Sequence, residues 1–281
     1  MEDTMEFLAG TIKTSNAVCE LISILMAALI PVVAAVSLKK KTGGGVRPIW
    51  VGALGFFVSA LVLEQCLHAV VLVIENPVSL FVKSHDWAFC MDGCLAAGLF
   101  EETGRYVMFR TMLKKDKSQS TPLLYGIGHG GCESLLIGAI PMMCVFFMAL
   151  KINAVGSAAA LENMAPDMTA SFLQRYEPLF SGSPFVLLCA GFERVSAMML
   201  HVALSIVVYL AASQKKFWYA YPAAIAAHAA FDVPAVLFQK KIITNIAVTE
   251  VLLFCLGAFV LFCAVKCVLP LTAENNEEQT V

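Results

Sequence analysis

The sequence contains few charged residues for its length. Asp, Glu, Lys and Arg together make up 14% of the 281 residues, whereas about 25% is usual in a soluble domain. Residues of the AVILMFWYC set reach 59%, and the mean hydropathy is +0.78. A soluble domain has no interior large enough for so much apolar surface, but a lipid bilayer accommodates it. The composition therefore excludes a soluble protein and indicates an integral membrane protein.

Several motifs of soluble and secreted proteins are absent. There is no C-x-x-C among the ten cysteines, so neither a zinc ribbon nor a thiol redox motif is predicted. The H-E-x-x-H motif of soluble metalloproteases is also missing. No basic segment followed by a cleavage site begins the chain, so we expect the first span to be retained. The net charge of −2 gives no reason to expect a nucleic-acid partner.

Long apolar stretches are what the sequence has in abundance. A helix needs about 20 apolar residues to cross a bilayer. Stretches of this length lie at about 17–38, 48–75, 88–112, 121–150, 183–212, 218–238 and 243–269. Because most connections are short, we predict an all-α fold, a polytopic transmembrane helical bundle of about seven spans. It would form a single integral membrane domain over residues 1–281. The longest connection, 151–182, holds either a short amphipathic helix at 168–180 or an irregular segment.

The basic residues predict an orientation, because Lys and Arg accumulate in short cytoplasmic loops. Eleven lie near one set of span ends: Lys39, Lys40, Lys41, Arg47, Arg110, Lys114, Lys115, Lys117, Lys215, Lys216 and Lys266. Six lie near the other: Lys13, Lys83, Lys151, Arg175, Lys240 and Lys241. We therefore predict an outside N-terminus and a cytoplasmic C-terminus, in what we expect to be a bacterial cell membrane.

Ionisable residues also lie inside four spans, where each costs roughly 3 kcal/mol or more on insertion scales. They are Glu101, Glu102 and Arg105 in F-E-E-T-G-R, His129 and Glu133 in G-H-G-G-C-E, Glu193, Arg194 and His201 in one span, and His228 and Asp232 in A-H-A-A-F-D. Residues four apart share a helix face. Three such pairs occur: Glu101 with Arg105, His129 with Glu133, and His228 with Asp232. Each polar stripe is expected to face other helices rather than lipid.

The four groups lie at one predicted depth, although neighbouring spans run in opposite directions. Glu101 is nine residues from Arg110, His129 nine from Ser120, His201 eleven from Ala212, and His228 twelve from Lys216. These separations correspond to roughly 14–18 Å from one membrane face. A common depth favours one functional site over scattered structural pairs. Glu64 and His68, by contrast, are predicted to be a structural pair nearer the outer side.

Three histidines and several carboxylates at one depth suit a site that activates water. A general base needs a proton acceptor next to a bound water, and neutral imidazoles and carboxylates also bind Zn²⁺. The candidate metal ligands are His129, His201 and His228, with Glu133 and Asp232 as supporting or alternative ligands. The glycines around His129 predict a close approach of another helix: Gly126, Gly128, Gly130 and Gly131.

In chain order, E-E-x-x-R, H-G-G-x-E, a single His and H-x-x-x-D resemble the YhfC family of intramembrane metalloproteases. That family is similar to the wider clan of CAAX-processing and PrsW-type membrane proteases. The resemblance covers nearly the whole chain. It implies hydrolysis of a peptide bond in or near the lipid bilayer, a membrane protein or peptide as substrate, and a divalent metal such as Zn²⁺.

The resemblance also implies roles for residues. In the wider clan the first glutamate of the pair activates water, which maps to Glu101. Glu102 would then support or orient, with Arg105 as its charge partner. The histidines His129, His201 and His228 would bind metal or stabilise the oxyanion. The E-E-x-x-R spacing is one residue shorter than the E-E-x-x-x-R of CAAX enzymes, so prenylated substrates are not implied.

Two functions of other classes stay open. Buried Glu, His and Asp also mark ion paths, so an ion- or proton-coupled transporter is one alternative, although no inverted repeat is found. A non-catalytic membrane scaffold is the other. For a protease, we expect spans 3 to 6 to form the walls of the site, spans 1, 2 and 7 to pack outside, and water to enter from the cytoplasmic face.

Overall fold

The computed structural model describes residues 12–162, 172 and 177–273, and every regular element among them is helical. The helices are α1 (Thr14–Thr42), α2 (Arg47–Val73), α3 (Pro77–Ser84), α4 (Asp86–Arg110), α5 (Ser120–Val155), α6 (Ser157–Leu161), α7 (Pro184–Ser213), α8 (Ala220–Gln239) and α9 (Ile246–Val268). The all-α fold predicted from the sequence is confirmed. The expected amphipathic segment at 168–180 lies largely outside the described residues, as do both termini.

Within the described part of the chain, six helices are long and apolar enough to cross a membrane: α1, α2, α5, α7, α9, and α8 with the short turn that precedes it. The seventh predicted span corresponds to α4, a continuous helix of 25 residues, about 37 Å long. It carries six acidic and arginine residues, so its composition is less apolar. The predicted count of about seven spans is therefore close.

Polar side chains and proline fix where several helices begin. Asn76 precedes Pro77 at the start of α3, and its side chain accepts hydrogen bonds from the backbone N–H groups of Val78 and Ser79. Asn245 accepts from the N–H of Ala247 at the start of α9. These bonds satisfy backbone donors that the first helical turn leaves free. The connections that precede α3 and α9 are therefore short, and each ends in an asparagine that is bonded to the following helix.

Contacts divide the chain into two compact units. The first comprises the described residues up to Ile30 and those from Ser134 to Arg194. Its core includes Ile12, Ala149, Ile152, Leu179, Phe180 and Leu187. Asn16 donates to the carbonyl oxygens of Leu179 and Gly182 at 2.9 and 3.0 Å. The single membrane domain expected from the sequence stays a prediction.

The second unit comprises Pro31–Glu133 and Val195–Val281, of which the structure describes residues up to 273. Its loops gather at two ends. At one end Arg110 donates to the carbonyl oxygen of Ala212 at 3.1 Å, and Arg47 donates to that of Met112 at 2.7 Å. At the other, Lys240 pairs with Asp86 at 2.9 Å. We call these the Arg110 end and the Lys240 end. Helices α4 and α8 run between them in opposite directions.

Candidate functional site

The predicted site residues of α4, α5 and α7 meet inside the second unit. His129 Nε2 lies 2.8 Å from Glu101 Oε2, and His201 Nδ1 lies 3.8 Å from the same oxygen. The rings of His129 and His201 are 4.7 Å apart between centroids. Each of the three side chains offers a donor atom within 4.8 Å of the other two, and all three are buried. The sequence placed these residues at one depth, and the structure brings them into contact.

A buried ion pair lies directly behind this group. Arg105 Nε is 3.0 Å from Glu102 Oε2, and both side chains are completely buried. The Arg105 guanidinium also donates to the His201 carbonyl oxygen at 2.6 Å and to Ser205 Oγ at 2.5 Å. Arginine has five N–H donors and no acceptor, so a single side chain can hold all these groups. Arg105 therefore fixes α4 to α7 beside the site.

The tautomer of His201 follows from its two neighbours. Arg105 Nη2 donates to His201 Nδ1 at 3.1 Å. Because arginine only donates, Nδ1 of a neutral His201 acts as the acceptor, and its proton resides on Nε2. That nitrogen contacts the Glu133 carboxylate. Glu133 is thus placed to orient His201 from the side opposite Arg105.

His228 joins the same cluster from α8, but it has partners of its own. Its Nδ1 lies 2.8 Å from Glu102 Oε1, and its Nε2 lies 3.7 Å from Asp232 Oδ2. The His228 ring packs edge-on against His201 with 5.5 Å between centroids. A histidine held by a carboxylate through one ring nitrogen is a common arrangement around metal centres. His228 therefore lies beside the Glu101–His129–His201 group, but it is not one of the three residues whose ligand atoms lie within 4.8 Å of one another.

Glycines allow α5 and α7 to approach closely enough for these contacts. A Cβ added at Gly126 would lie 2.5 Å from the Cα of Val202, and one at Gly130 would lie 3.2 Å from the Cα of Met198. The first separation is too short for any side chain, so the backbones meet directly. His129 lies between these two glycines in the sequence, and the close approach brings its ring against His201. The packing role expected from Gly126 and Gly130 is confirmed.

Some contacts of the site agree with the expectations and others differ. Arg105 pairs with Glu102, the charge partner that the resemblance implies, and Glu101 contacts His129. Glu133, however, contacts His201 on α7 rather than His129 on its own helix. Helix α2, expected outside the site, forms one of its walls: the Phe56 ring packs edge-on against His129 at 5.3 Å. The reason is again small residues, since Gly52 faces the α5 backbone.

Residues outside the predicted set also contribute. Ser205 accepts a hydrogen bond from Arg105, and its position one turn after His201 was an available signal. Asp92 lies 3.6 Å from His68, whose other ring nitrogen is 4.0 Å from Glu64. Glu193 and Arg194 pair with each other in the first unit. These two residues are therefore not among the site contacts described above.

The charge of the cluster fits a divalent cation. Glu101, Glu102, Glu133 and Asp232 are opposed within it by the single guanidinium of Arg105. The carboxylates therefore outnumber the guanidinium four to one. Such an excess is unfavourable away from water unless a cation balances it. His129 Nδ1 is also buried without a hydrogen-bond partner among the described residues. The donor set, imidazole and carboxylate, is one that Zn²⁺ prefers.

Comparison with known proteins finds a matching family and a relative. The sequence model of a family described as "YhfC intramembrane metalloprotease" matches residues 26–253. The chain is also similar to "Uncharacterized membrane protein YhfC" of Bacillus subtilis (strain 168). The two are 33% identical over 242 residues, which cover 86% of this chain and 92% of the relative. No solved structure matches.

Proposed function

The chain belongs to the YhfC intramembrane metalloprotease family, and from this premise we propose that it is a metal-dependent protease that cleaves a peptide bond in or near the membrane. The observation that carries the proposal is the buried group of Glu101, His129 and His201, with donor atoms within 4.8 Å of one another. Two of the three helices that supply it, α5 and α7, are long and apolar enough to cross a membrane. Its substrate would be a membrane protein or a membrane-inserted peptide.

His129 and His201 would hold the metal ion. Because Arg105 donates to Nδ1 of His201, a cation would bind at Nε2, and that nitrogen would give up its proton and its direct contact with Glu133 on binding. A third protein ligand is usual in catalytic zinc sites, and Glu101 and His228 are the two candidates. When bound, the cation would act as a Lewis acid and lower the pKa of a water molecule toward about 7.

Glu101 would act as the general base. Its carboxylate takes a proton from water while the water oxygen attacks the carbonyl carbon of the peptide bond. The proton then passes to the amide nitrogen as the C–N bond breaks, so one water is consumed and two peptide ends form. Glu101 is suited to this step because its Oε2 lies beside both imidazoles, at 2.8 and 3.8 Å.

The remaining charged residues would hold these groups in place. Glu102 fixes His228 through Nδ1 and is neutralised by Arg105. Arg105 and Glu133 contact opposite nitrogens of the His201 ring. Residues that orient metal-binding histidines typically change metal affinity or activity by about 10- to 100-fold when replaced. Glu102, Arg105 and Glu133 are therefore assigned positioning roles.

A cleavage assay tests the proposal. The purified protein, reconstituted with Zn²⁺ in liposomes, is incubated with a mixture of single-span membrane peptides, and products are identified by mass spectrometry. Glu101→Gln keeps the shape of the side chain and removes the base, so we expect the cleavage rate to fall about 10²- to 10⁴-fold. Glu193→Gln is the matched control, because Glu193 lies in the first unit and pairs with Arg194.

The outcomes are distinct. Equal rates for Glu101→Gln and the wild type would exclude Glu101 as the base. If Glu101→Gln loses cleavage but still binds the metal, the result supports Glu101 as the general base. If the variant loses cleavage and metal together, Glu101 is the third metal ligand. If the metal-loaded wild type cleaves none of the peptides, the proposal that the protein is a protease is contradicted.

A further inference from the structure

Four polar residues on one side of the site form a group that the catalytic roles do not use. They are Glu64, His68, Asp92 and Asp232. We propose that this group, the entrance cluster, lines the route by which water reaches the site, and that the route opens at the Lys240 end of the second unit. The proposal rests on the proposed function in one respect, since hydrolysis needs water and lipid supplies none.

The positions of these residues along their helices all point to the Lys240 end. Asp232 follows His228 by one turn in α8, which runs toward Lys240. Asp92 precedes Glu101 by nine residues in α4, about 14 Å closer to Asp86. Glu64 lies in the half of α2 that is distant from Arg47. The entrance cluster thus extends from the catalytic group toward a single end.

Contact lengths change along the same direction. Close to Arg105, polar atoms meet at 2.5–3.1 Å in a network without exposure to solvent. Within the entrance cluster the carboxylate–imidazole separations are 3.6 and 4.0 Å, and Asp232 lies 3.7 Å from the His228 ring. These exceed a direct hydrogen bond, and separations of this kind are typical of groups bridged by water.

Exposure changes in parallel. The Asp232, His68 and Asp92 side chains are 27%, 19% and 12% exposed, whereas those of Glu102 and Arg105 are fully buried. Glu64 is nine-tenths buried, and its nearest ionic partner is the His68 nitrogen at 4.0 Å. Charged groups inside a membrane protein face the bundle interior or a water-filled cavity rather than lipid. Water within the entrance cluster would satisfy all four side chains.

The Arg110 end is closed by apolar side chains. One turn from the site residues toward that end, each helix places a buried residue: Phe109 after Arg105, Tyr125 before His129, Leu204 after His201 and Ala224 before His228. These belong to one continuous core. A cavity of about 180 Å³ at this end is lined by Arg110, Lys114, Asp116, Lys117 and Ser213 together with Phe109, Leu113 and Tyr209 of the same core.

The proposal replaces an expectation drawn from the sequence. The basic-residue count predicts that the Arg110 end faces the cytoplasm, and water was expected to enter from there. If that orientation holds, the site would instead be supplied with water from the outer face. A substrate would then present its scissile bond near the outer half of the membrane.

Cysteine labelling tests this route without any cleavage. In a variant with the ten native cysteines replaced, Glu64→Cys and Asp92→Cys are compared with the neighbouring Leu63→Cys and Met91→Cys. Leu63 and Met91 are 49% and 51% exposed apolar residues at the same depths, so they face lipid. A charged, membrane-impermeant methanethiosulfonate reagent is applied separately to each side. Only the thiolate reacts, and apolar surroundings suppress it.

We expect Glu64→Cys and Asp92→Cys to react from the Lys240 side at least about tenfold faster than their neighbours, since each unit of thiol pKa changes the thiolate fraction tenfold. Leu204→Cys should be protected from both sides. Equal rates within each neighbouring pair, or labelling of Leu204→Cys from the Arg110 side, would overturn the proposal. The labelling needs neither a bound metal nor cleavage. Its result therefore tests the water route even if the protein proves not to be a protease.

Radiolytic hydroxyl-radical footprinting of the wild type covers the case in which the cysteine-free protein does not fold. Radicals form from water beside the side chain that they oxidise. His68 should be oxidised while Tyr125, which is completely buried, is protected. Oxidation of Tyr125 with protection of His68 would overturn the proposal.

Discussion

Replacement of Arg105 by methionine is the sharpest test of the network that supports the site. Arg105 is completely buried and contacts Glu102 at 3.0 Å, the His201 carbonyl oxygen at 2.6 Å and Ser205 at 2.5 Å. Methionine fills a similar volume but removes every donor, so Glu102 keeps its charge without a cation. Breaking a buried pair from one side costs about 3–5 kcal/mol. We expect the free energy of unfolding to fall by that amount.

The assay is unfolding in mixed detergent micelles, followed by tryptophan fluorescence and circular dichroism. The matched control is the double variant Glu102→Gln with Arg105→Met, which removes both charges. It should recover about 2 kcal/mol of the loss, because no unpaired buried charge remains. Arg105→Lys keeps the charge but loses the planar fork, so its cost should lie between the two. A loss below about 1 kcal/mol for Arg105→Met, or a double variant no more stable than the single one, would refute the assigned network.

Two further predictions concern packing and orientation. Gly126→Ala should lower the free energy of unfolding by about 1–3 kcal/mol, because its Cβ would lie 2.5 Å from the Cα of Val202; Gly45→Ala, with open space around it, should change little. A Gly126→Ala protein as stable as the wild type in detergent unfolding would contradict the close helix contact. In cells expressing a protein free of native cysteines, Asp116→Cys should resist an impermeant thiol reagent until the membrane is permeabilised. Labelling in intact cells would instead place the 114–120 loop outside.

Much of the fold could be predicted from hydropathy alone. Apolar length defines a membrane helix almost by itself, so the ends of the six membrane-spanning helices were predicted to within five residues. Helix α4 is the instructive case. Its length suits a span, but its charged residues reduce its hydropathy. Glu101, Glu102 and Arg105 are among those charged residues, so the least apolar of the long helices supplies three side chains of the site.

The depth of the site was also predictable, because residue number along a helix converts directly into distance. The partner of every side chain was not. Glu133 shares a helix face with His129, yet it contacts His201 on α7. That choice depends on how closely α4, α5 and α7 approach, which is set by glycines on each helix. A single sequence predicts that close packing occurs, but not which helices pack together.

The entrance cluster shows the same limit. Glu64 and His68 were predicted to be a structural pair because they lie nearer the outer side than the four groups of the site. Asp92 had no predicted partner. The structure places Asp92 on His68 from a different helix, which turns a local pair into part of a polar path. Interhelical geometry supplied the information that sequence spacing lacked.

Metal content is the most direct test of a metal-dependent site. Elemental analysis of detergent-purified wild type, after removal of loosely bound ions, should find about one divalent metal ion per chain. The His129→Ala, His201→Ala double variant should be depleted, and a Cys66→Ala variant, which alters an exposed cysteine, should match the wild type. Equal metal content in the wild type and the double variant, or a folded wild type that binds no divalent metal when supplied with it, would contradict the account.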